Sequence, residues 1–162
     1  MPRVHLRPVT VPLARALLSG DLSGVAAAPG WPHADTYDAL RLYAQHESAD
    51  GLFLVVESET ERVVGDCGWF GPPAEDGEVE IGYGLAAASR GKGYGTEAVR
   101  ALVAWIVEQP GVRRVVAEAD ATNVASRRVL ERLGFTLAEV RGTDVRYTLP
   151  ALPAGPAAGD TD

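Results

Sequence analysis

Three glycines at alternate positions, Gly91, Gly93 and Gly95, separate a stretch that repeats every two residues from one that repeats every three or four. Before them, GEVEIGYGL (77–85) sets Val79, Ile81, Tyr83 and Leu85 on one face of a strand. After them, Val99, Leu102, Val103, Ile106 and Val107 share one side of a helix. A strand, a glycine-rich loop and a helix in immediate succession constrain the chain more than any other feature. Glycine lets backbone N–H groups turn inward and lets a ligand approach without a Cβ in the way. The first helical turn adds unpaired N–H groups and the positive end of the helix dipole. Such a loop suits an anion, and a pyrophosphate in particular. Arg90 and Lys92 add charge for peripheral phosphates. The same stretch also reads as a plain strand-to-helix turn with exposed basic residues.

Spacing narrows the ligand. The nucleoside-triphosphate loop needs G-x-x-x-x-G-K-[ST], which does not occur. The dinucleotide fingerprint G-x-G-x-x-G, counted from Gly91 and Gly93, meets Thr96 at its third glycine, so a dinucleotide oxidoreductase is disfavoured. R-x-x-G-x-G does occur, at Arg90, Gly93 and Gly95. With TEAVRALVAWI after it and NVASRRVLERLGF at 123–135, it resembles the acetyl-CoA loop and second conserved block of the GNAT (Gcn5-related N-acetyltransferase) superfamily. The RGKGYGTEAV and NVAS pattern is similar to the branch that acetylates ribosomal-protein N-termini.

The resemblance implies an α/β (α+β) fold: a mixed central sheet of about seven strands, helices on both faces, and a splay between strands four and five. The pantetheine arm of acetyl-CoA would enter that splay. It implies a pyrophosphate on Arg90, Gly91, Lys92, Gly93, Tyr94, Gly95 and Thr96, with Asn123 contacting the pantetheine. A backbone N–H near Leu85 or Ala86 would bind the thioester oxygen.

Composition agrees with an enzyme of this kind. At 162 residues, 46% apolar and 23% charged, the chain suits a single soluble domain, read here as 1–149. A net charge of −7 with no basic block argues against nucleic acid and is compatible with a cationic amine acceptor. No apolar run approaches the roughly 20 residues of a membrane span, and MPRVHLRPVT lacks an apolar signal core. The single cysteine excludes an internal disulfide and a multi-cysteine metal site, so no metal is expected and the cytoplasm is the default compartment. A homodimer remains open.

Taken in order, Val4 to Arg7 opens as a strand, and Thr10 caps a helix that carries Pro12 in its first turn and stops at Gly20. Asp35 or Thr36 caps a second helix reaching about His46. Just before it lies GWPHAD, whose Trp31, His33 and Asp35 suggest the rim of an acceptor site; a tryptophan packed under a loop beside a solvated histidine fits equally. GLFLVVES and VVGDCGWF form a hairpin, with Cys67 a packed thiol. VRRVVAEA (112–119) is a strand, and Asn123 caps a helix with Ala125, Val129 and Leu133 as its apolar stripe. LAEVRG and DVRYTL make an antiparallel pair, and the Pro/Gly-rich segment 150–162 reads as a disordered tail.

Acetyl transfer to an amine needs a neutral nitrogen, a polarised carbonyl and a protonated leaving thiol. Glu78 and Glu80 share one side of their strand, and the family commonly places a proton-accepting carboxylate there. Glu80 is the first choice and Glu78 the second; two solvated or ion-paired glutamates are the alternative. Many relatives carry a tyrosine seven residues after the asparagine matched by Asn123, to protonate the thiol. Here that position is Leu130, and Ser126 resembles the serine of the ribosomal-protein branch. The expected activity is N-acetylation by direct attack in a ternary complex, on a protein N-terminal amine or a small-molecule amine such as an aminoglycoside or polyamine. The missing tyrosine also leaves room for a non-catalytic acyl-CoA sensor. An α-amine is about 14% neutral at pH 7 and a lysine amine about 0.04%, so an N-terminal amine asks less of the base.

Overall fold

A computed structural model describes residues 2–45, 51–70 and 72–150. The elements run β1 (Val4–Pro8), α1 (Val11–Leu18), α2 (Ala34–Gln45), β2 (Leu52–Glu57), β3 (Val63–Trp69), β4 (Glu78–Leu85), α3 (Tyr94–Ile106), β5 (Arg114–Asp120), α4 (Val124–Arg132), β6 (Thr136–Arg141) and β7 (Asp144–Pro150). This is the expected order, with one unforeseen 3-10 turn, Ala87–Ser89, ahead of the glycines. The strands form a seven-stranded mixed sheet in the order β1-β2-β3-β4-β5-β7-β6. β4 and β5 pair in parallel. Their ladder runs from Glu78 opposite Arg114 to Ile81 opposite Ala117, and β4 continues to Leu85.

The helix starts follow local chemistry. Thr10 caps α1, its hydroxyl accepting from the Leu13 N–H at 3.2 Å, and Asn123 caps α4, its Oδ1 accepting from the Ser126 N–H at 3.1 Å. The second helix begins earlier than its expected cap. Thr36 lies inside the first turn of α2, and its hydroxyl accepts from the His33 N–H at 3.3 Å. His46, the expected end of that helix, lies outside the described residues.

The chain gathers into two compact units, Met1–Gly68 with Tyr83–Ala101, and Trp69–Gly82 with Leu102–Asp162. The first has a core of Leu17, Leu40, Leu54 and Val63 from α1, α2, β2 and β3, with Val9 and Trp31 from the connecting segments. In the second, Val79, Ile81, Val115, Val116, Leu130 and Tyr147 are buried, and Trp69 meets Trp105 edge to face at 4.9 Å. No linker composition marks the boundary, since β3, β4 and α3 each give residues to both units.

Three expectations are corrected. Val107 lies past the end of α3 and is exposed, so the helix buries Ala98, Val99, Leu102 and Ile106 instead. The α4 stripe turns out differently: Ala125 is exposed, Val129 and Leu133 are half-buried, and Leu130 is the buried anchor. Pro150, assigned to the tail, ends β7 opposite Arg114; the remainder of that segment lies outside the described residues. Cys67 is a buried free thiol, pushed far up by burial and then by the nearby Asp66 charge. Among the described residues no helix is long and apolar enough to cross a membrane, and no group of side chains could hold a metal ion.

Candidate active site

The glycine loop is shaped as its sequence requires. Gly91 and Gly93 have φ of +79° and +83°, left-handed values that other residues adopt only with strain. Gly95 is already helical and buried. The N–H groups of Gly91, Lys92, Gly93, Tyr94, Gly95 and Thr96 have no hydrogen-bond partner among the described residues. The next one, Glu97 N–H, bonds back to the Gly93 carbonyl at 3.3 Å. The Thr96 Oγ1 atom is buried and also lacks a partner. Side chains buttress the loop. Tyr94 donates its hydroxyl to Glu57, Lys92 Nζ stands 5.9 Å from the Tyr94 ring centre, and Arg90 Nε donates to the Leu85 carbonyl at 3.2 Å.

At the end of β4 the strand's alternation matters. The Ala86 N–H is committed to the Val64 carbonyl of β3 at 2.8 Å, which leaves it unable to serve a thioester oxygen. Neighbouring N–H groups on a strand point to opposite edges, so that of Leu85 faces away from β3. The segment leading into α2 packs here: a Cβ on Gly84 would stand 3.0 Å from His33 Cε1. Of the three acceptor-rim residues, Trp31 and His33 come together and Asp35 does not. Trp31 is buried, its Nε1 donating to Asp66 Oδ2 at 2.9 Å, and His33 Nε2 lies 3.8 Å from the same oxygen. Asp35 is exposed in the first turn of α2.

The two glutamates of β4 separate cleanly. Glu78 is held at both oxygens, by Arg114 Nε at 3.0 Å and Arg146 Nη2 at 2.7 Å. Both of its oxygens are thus engaged by arginines. The half-buried Glu80 carboxylate has no hydrogen bond or ion pair among the described residues. Burial, and then the charge of Glu118, push its carboxyl above the usual range, partly offset by Arg146. In the same unit, Asn123 and Ser126 meet at the start of α4 through the capping bond.

The family described as the acetyltransferase (GNAT) domain matches residues 3–136. The chain belongs to the GNAT acetyltransferases. It is 29% identical over 146 residues to the uncharacterized N-acetyltransferase YjdG of Bacillus subtilis (strain 168), covering 83% of this chain and 87% of that one. Two solved structures share the fold. One is yncA, a putative acetyltransferase from Salmonella typhimurium with its cofactor acetyl-CoA, at TM-score 0.65 and 19% identity, over 94% of this chain and 96% of that one. The other is the ribosomal-protein-S5-alanine acetyltransferase of Vibrio fischeri, at TM-score 0.66 and 18% identity, over 96% and 97%.

GNAT enzymes take the acetyl group from acetyl-CoA, and the residues of this chain fit that donor. A run of unpartnered N–H groups at a helix N-terminus beside an orphaned hydroxyl is what a pyrophosphate requires. Sequence reasoning missed Asp66, because a lone aspartate inside an apolar strand carries no spacing signal. It also missed Arg3, whose guanidinium would stand 2.7 Å from a Cβ on Gly93.

Proposed function

We propose that this GNAT enzyme acetylates a weakly basic primary amine, with a protein N-terminal amine as the first candidate and a small-molecule amine such as an aminoglycoside or polyamine as the second. The observation that carries the reading is the row of unpartnered N–H groups from Gly91 to Thr96 at the start of α3. These groups and the Thr96 hydroxyl bind the pyrophosphate, with Lys92 serving an outer phosphate. The Leu85 N–H polarises the thioester carbonyl, the bond to be broken being supplied by acetyl-CoA. Asn123 holds the pantetheine arm. Glu80 takes the proton that turns the arriving ammonium into a nucleophile, a task favoured by its unpaired and partly desolvated carboxylate. Ser126 assists the leaving thiolate, since Leu130 is buried and has no proton to give. His33 lines the acceptor's entry, and the buried Trp31 shares Asp66 with it. The acidic net charge of −7 favours a cationic acceptor.

Thiol release from acetyl-CoA, followed across alaninamide, N-terminal peptides, spermidine and kanamycin, tests this directly. Release that depends on the amine, with mass gain on its nitrogen, is expected. Tight acetyl-CoA binding with no release across the whole panel would reduce the protein to an acyl-CoA binder and overturn the reading.

A further inference from the structure

We infer that His33 and Asp66 form a proton-accepting pair beside the acyl-transfer point. The inference rests on the N-acetyl transfer proposed above and adds a catalytic residue to it.

Asp66 is a buried carboxylate in the interior of β3. Its Oδ2 accepts from Thr36 Oγ1 at 2.6 Å and from Trp31 Nε1 at 2.9 Å. Two donors on one oxygen fix the carboxylate's place and favour its charged form; burial opposes them and pushes its carboxyl up. A buried charge wants a third neighbour, and His33 provides it. Its Nε2, 3.8 Å from the same Oδ2, is buried and has no hydrogen-bond partner. An N–H at Nε2 would satisfy that nitrogen and the carboxylate together, and would leave the lone pair on Nδ1. Nδ1 has no partner among the described residues, and the side chain is 22% exposed. This is the orienting logic of a carboxylate behind a histidine base. The gap of 3.8 Å is of the kind that tightens when substrate binds.

Position gives the pair its work. The ring lies over Gly84, where a Cβ would stand 3.2 Å from Nε2. Gly84 adjoins Leu85, the donor proposed for the thioester oxygen, so an attacking nitrogen must arrive nearby. An ammonium sheds two protons in becoming an amide. The first leaves before attack. As the N–C bond forms and the C–S bond breaks, the second passes from nitrogen to His33 Nδ1. The thiolate regains one proton, and the other goes to water. Asp66 is a positioning residue: it holds the tautomer and steadies the imidazolium.

The test combines tautomer and turnover. Nitrogen-15 NMR of the imidazole should show His33 protonated at Nε2 in the native protein, with that preference lost in Asp66→Asn. With whichever amine of the panel the native enzyme acetylates, His33→Ala should lower kcat at least 30-fold and leave acetyl-CoA affinity unchanged. Added imidazole should restore a measurable part of the lost rate, which a purely structural histidine would not allow. His33→Gln should show no such rescue. Thr36→Val, a milder change than Asp66→Asn, should lower kcat several-fold without unfolding the protein. Protonation at Nδ1, or a His33→Ala enzyme within threefold of native, overturns the pair while leaving acetyl transfer intact. A native enzyme that acetylates no amine overturns the transfer reading and the pair together.

Discussion

Arg3 closes on Glu97 across 94 residues of sequence, with its Nε 2.6 Å from Oε2 and its backbone N–H 2.8 Å from Oε1. The same guanidinium covers the Tyr94 ring at 5.1 Å from its centre. The entry to β1 thus braces the first turn of α3, the turn that presents the unpartnered N–H groups. The Arg3 side chain is 53% exposed, so solvent screens the pair and its worth is about 1 kcal/mol or less. Arg3→Ala should lower Tm by about 2–4 °C at low ionic strength. The difference should shrink in high salt.

The Glu57 carboxyl is held below its usual range by the Tyr94 hydroxyl first and the Thr60 hydroxyl second. A depressed carboxylate contributes stability that is present above its unfolded pKa, about 4.3, and is lost as pH falls through the folded value. Tyr94→Phe removes the larger cause. Its Tm should therefore fall less steeply than that of the native protein below about pH 5, while the two run parallel above it.

Gly91 and Gly93 share a left-handed backbone but differ in surroundings. A Cβ on Gly91 meets nothing within 4 Å, whereas one on Gly93 meets Arg3 Nη2 at 2.7 Å. Each alanine variant carries a backbone cost of about 1 kcal/mol. The Arg3 side chain, flexible at its end, yields to the second. Gly93→Ala should consequently lose the Arg3 brace as well, and combining it with Arg3→Ala should cost less than the sum of the two. Thermal melts of the four proteins measure this directly, and calorimetry should find acetyl-CoA binding weakened in both glycine variants.

Glu80→Gln should cut kcat while leaving acetyl-CoA affinity in place, with the loss greatest at low pH and eased as rising pH supplies neutral amine. Stability should move the other way. Because burial raises this carboxyl in the folded state, its charged form opposes folding as pH climbs past the unfolded value. The glutamine variant should therefore match native Tm near pH 4 and exceed it at pH 7. Glu78→Gln should lower Tm, since it abandons Arg114 and Arg146, and should barely alter kcat.

Asn123 and Ser126 can be told apart although a hydrogen bond joins them. Asn123→Ala removes the α4 cap and should cost about 1 kcal/mol of stability along with acetyl-CoA affinity. The capping bond uses the Ser126 backbone N–H and not its hydroxyl. Ser126→Ala should keep the cap and acetyl-CoA affinity and lower kcat, with chemistry followed in single-turnover experiments.

The sequence revealed those parts whose physics is local. The period of two in β4, the paired spacing of Gly91, Gly93 and Gly95, and the caps at Thr10 and Asn123 each announce an element within a few residues. The stripe of Ala125, Val129 and Leu133 misled because the buried side of a short helix depends on which strand lies beneath it, and the α4 sequence also fits a stripe through Leu130. Glu78 and Glu80 look alike in sequence. Only Arg114, opposite Glu78 on β5, and Arg146 from β7 distinguish the anchored carboxylate from the free one. Asp66 was invisible for the same reason: its partners Trp31, His33 and Thr36 lie some 30 residues away, in a segment whose direction no periodicity fixes.

The sheet order carries a consequence for how the molecule is assembled in time. β7 follows β6 in the chain yet lies between it and β5. As the polypeptide emerges during synthesis, β6 therefore has nothing to pair with until residues 144–150 are made, and β5 keeps one open edge for the same interval. The loop and the first turn of α3 are translated well before that edge closes. A nascent chain halted near Gly142 would hold the donor-binding loop and still present β5 as a template for a foreign strand.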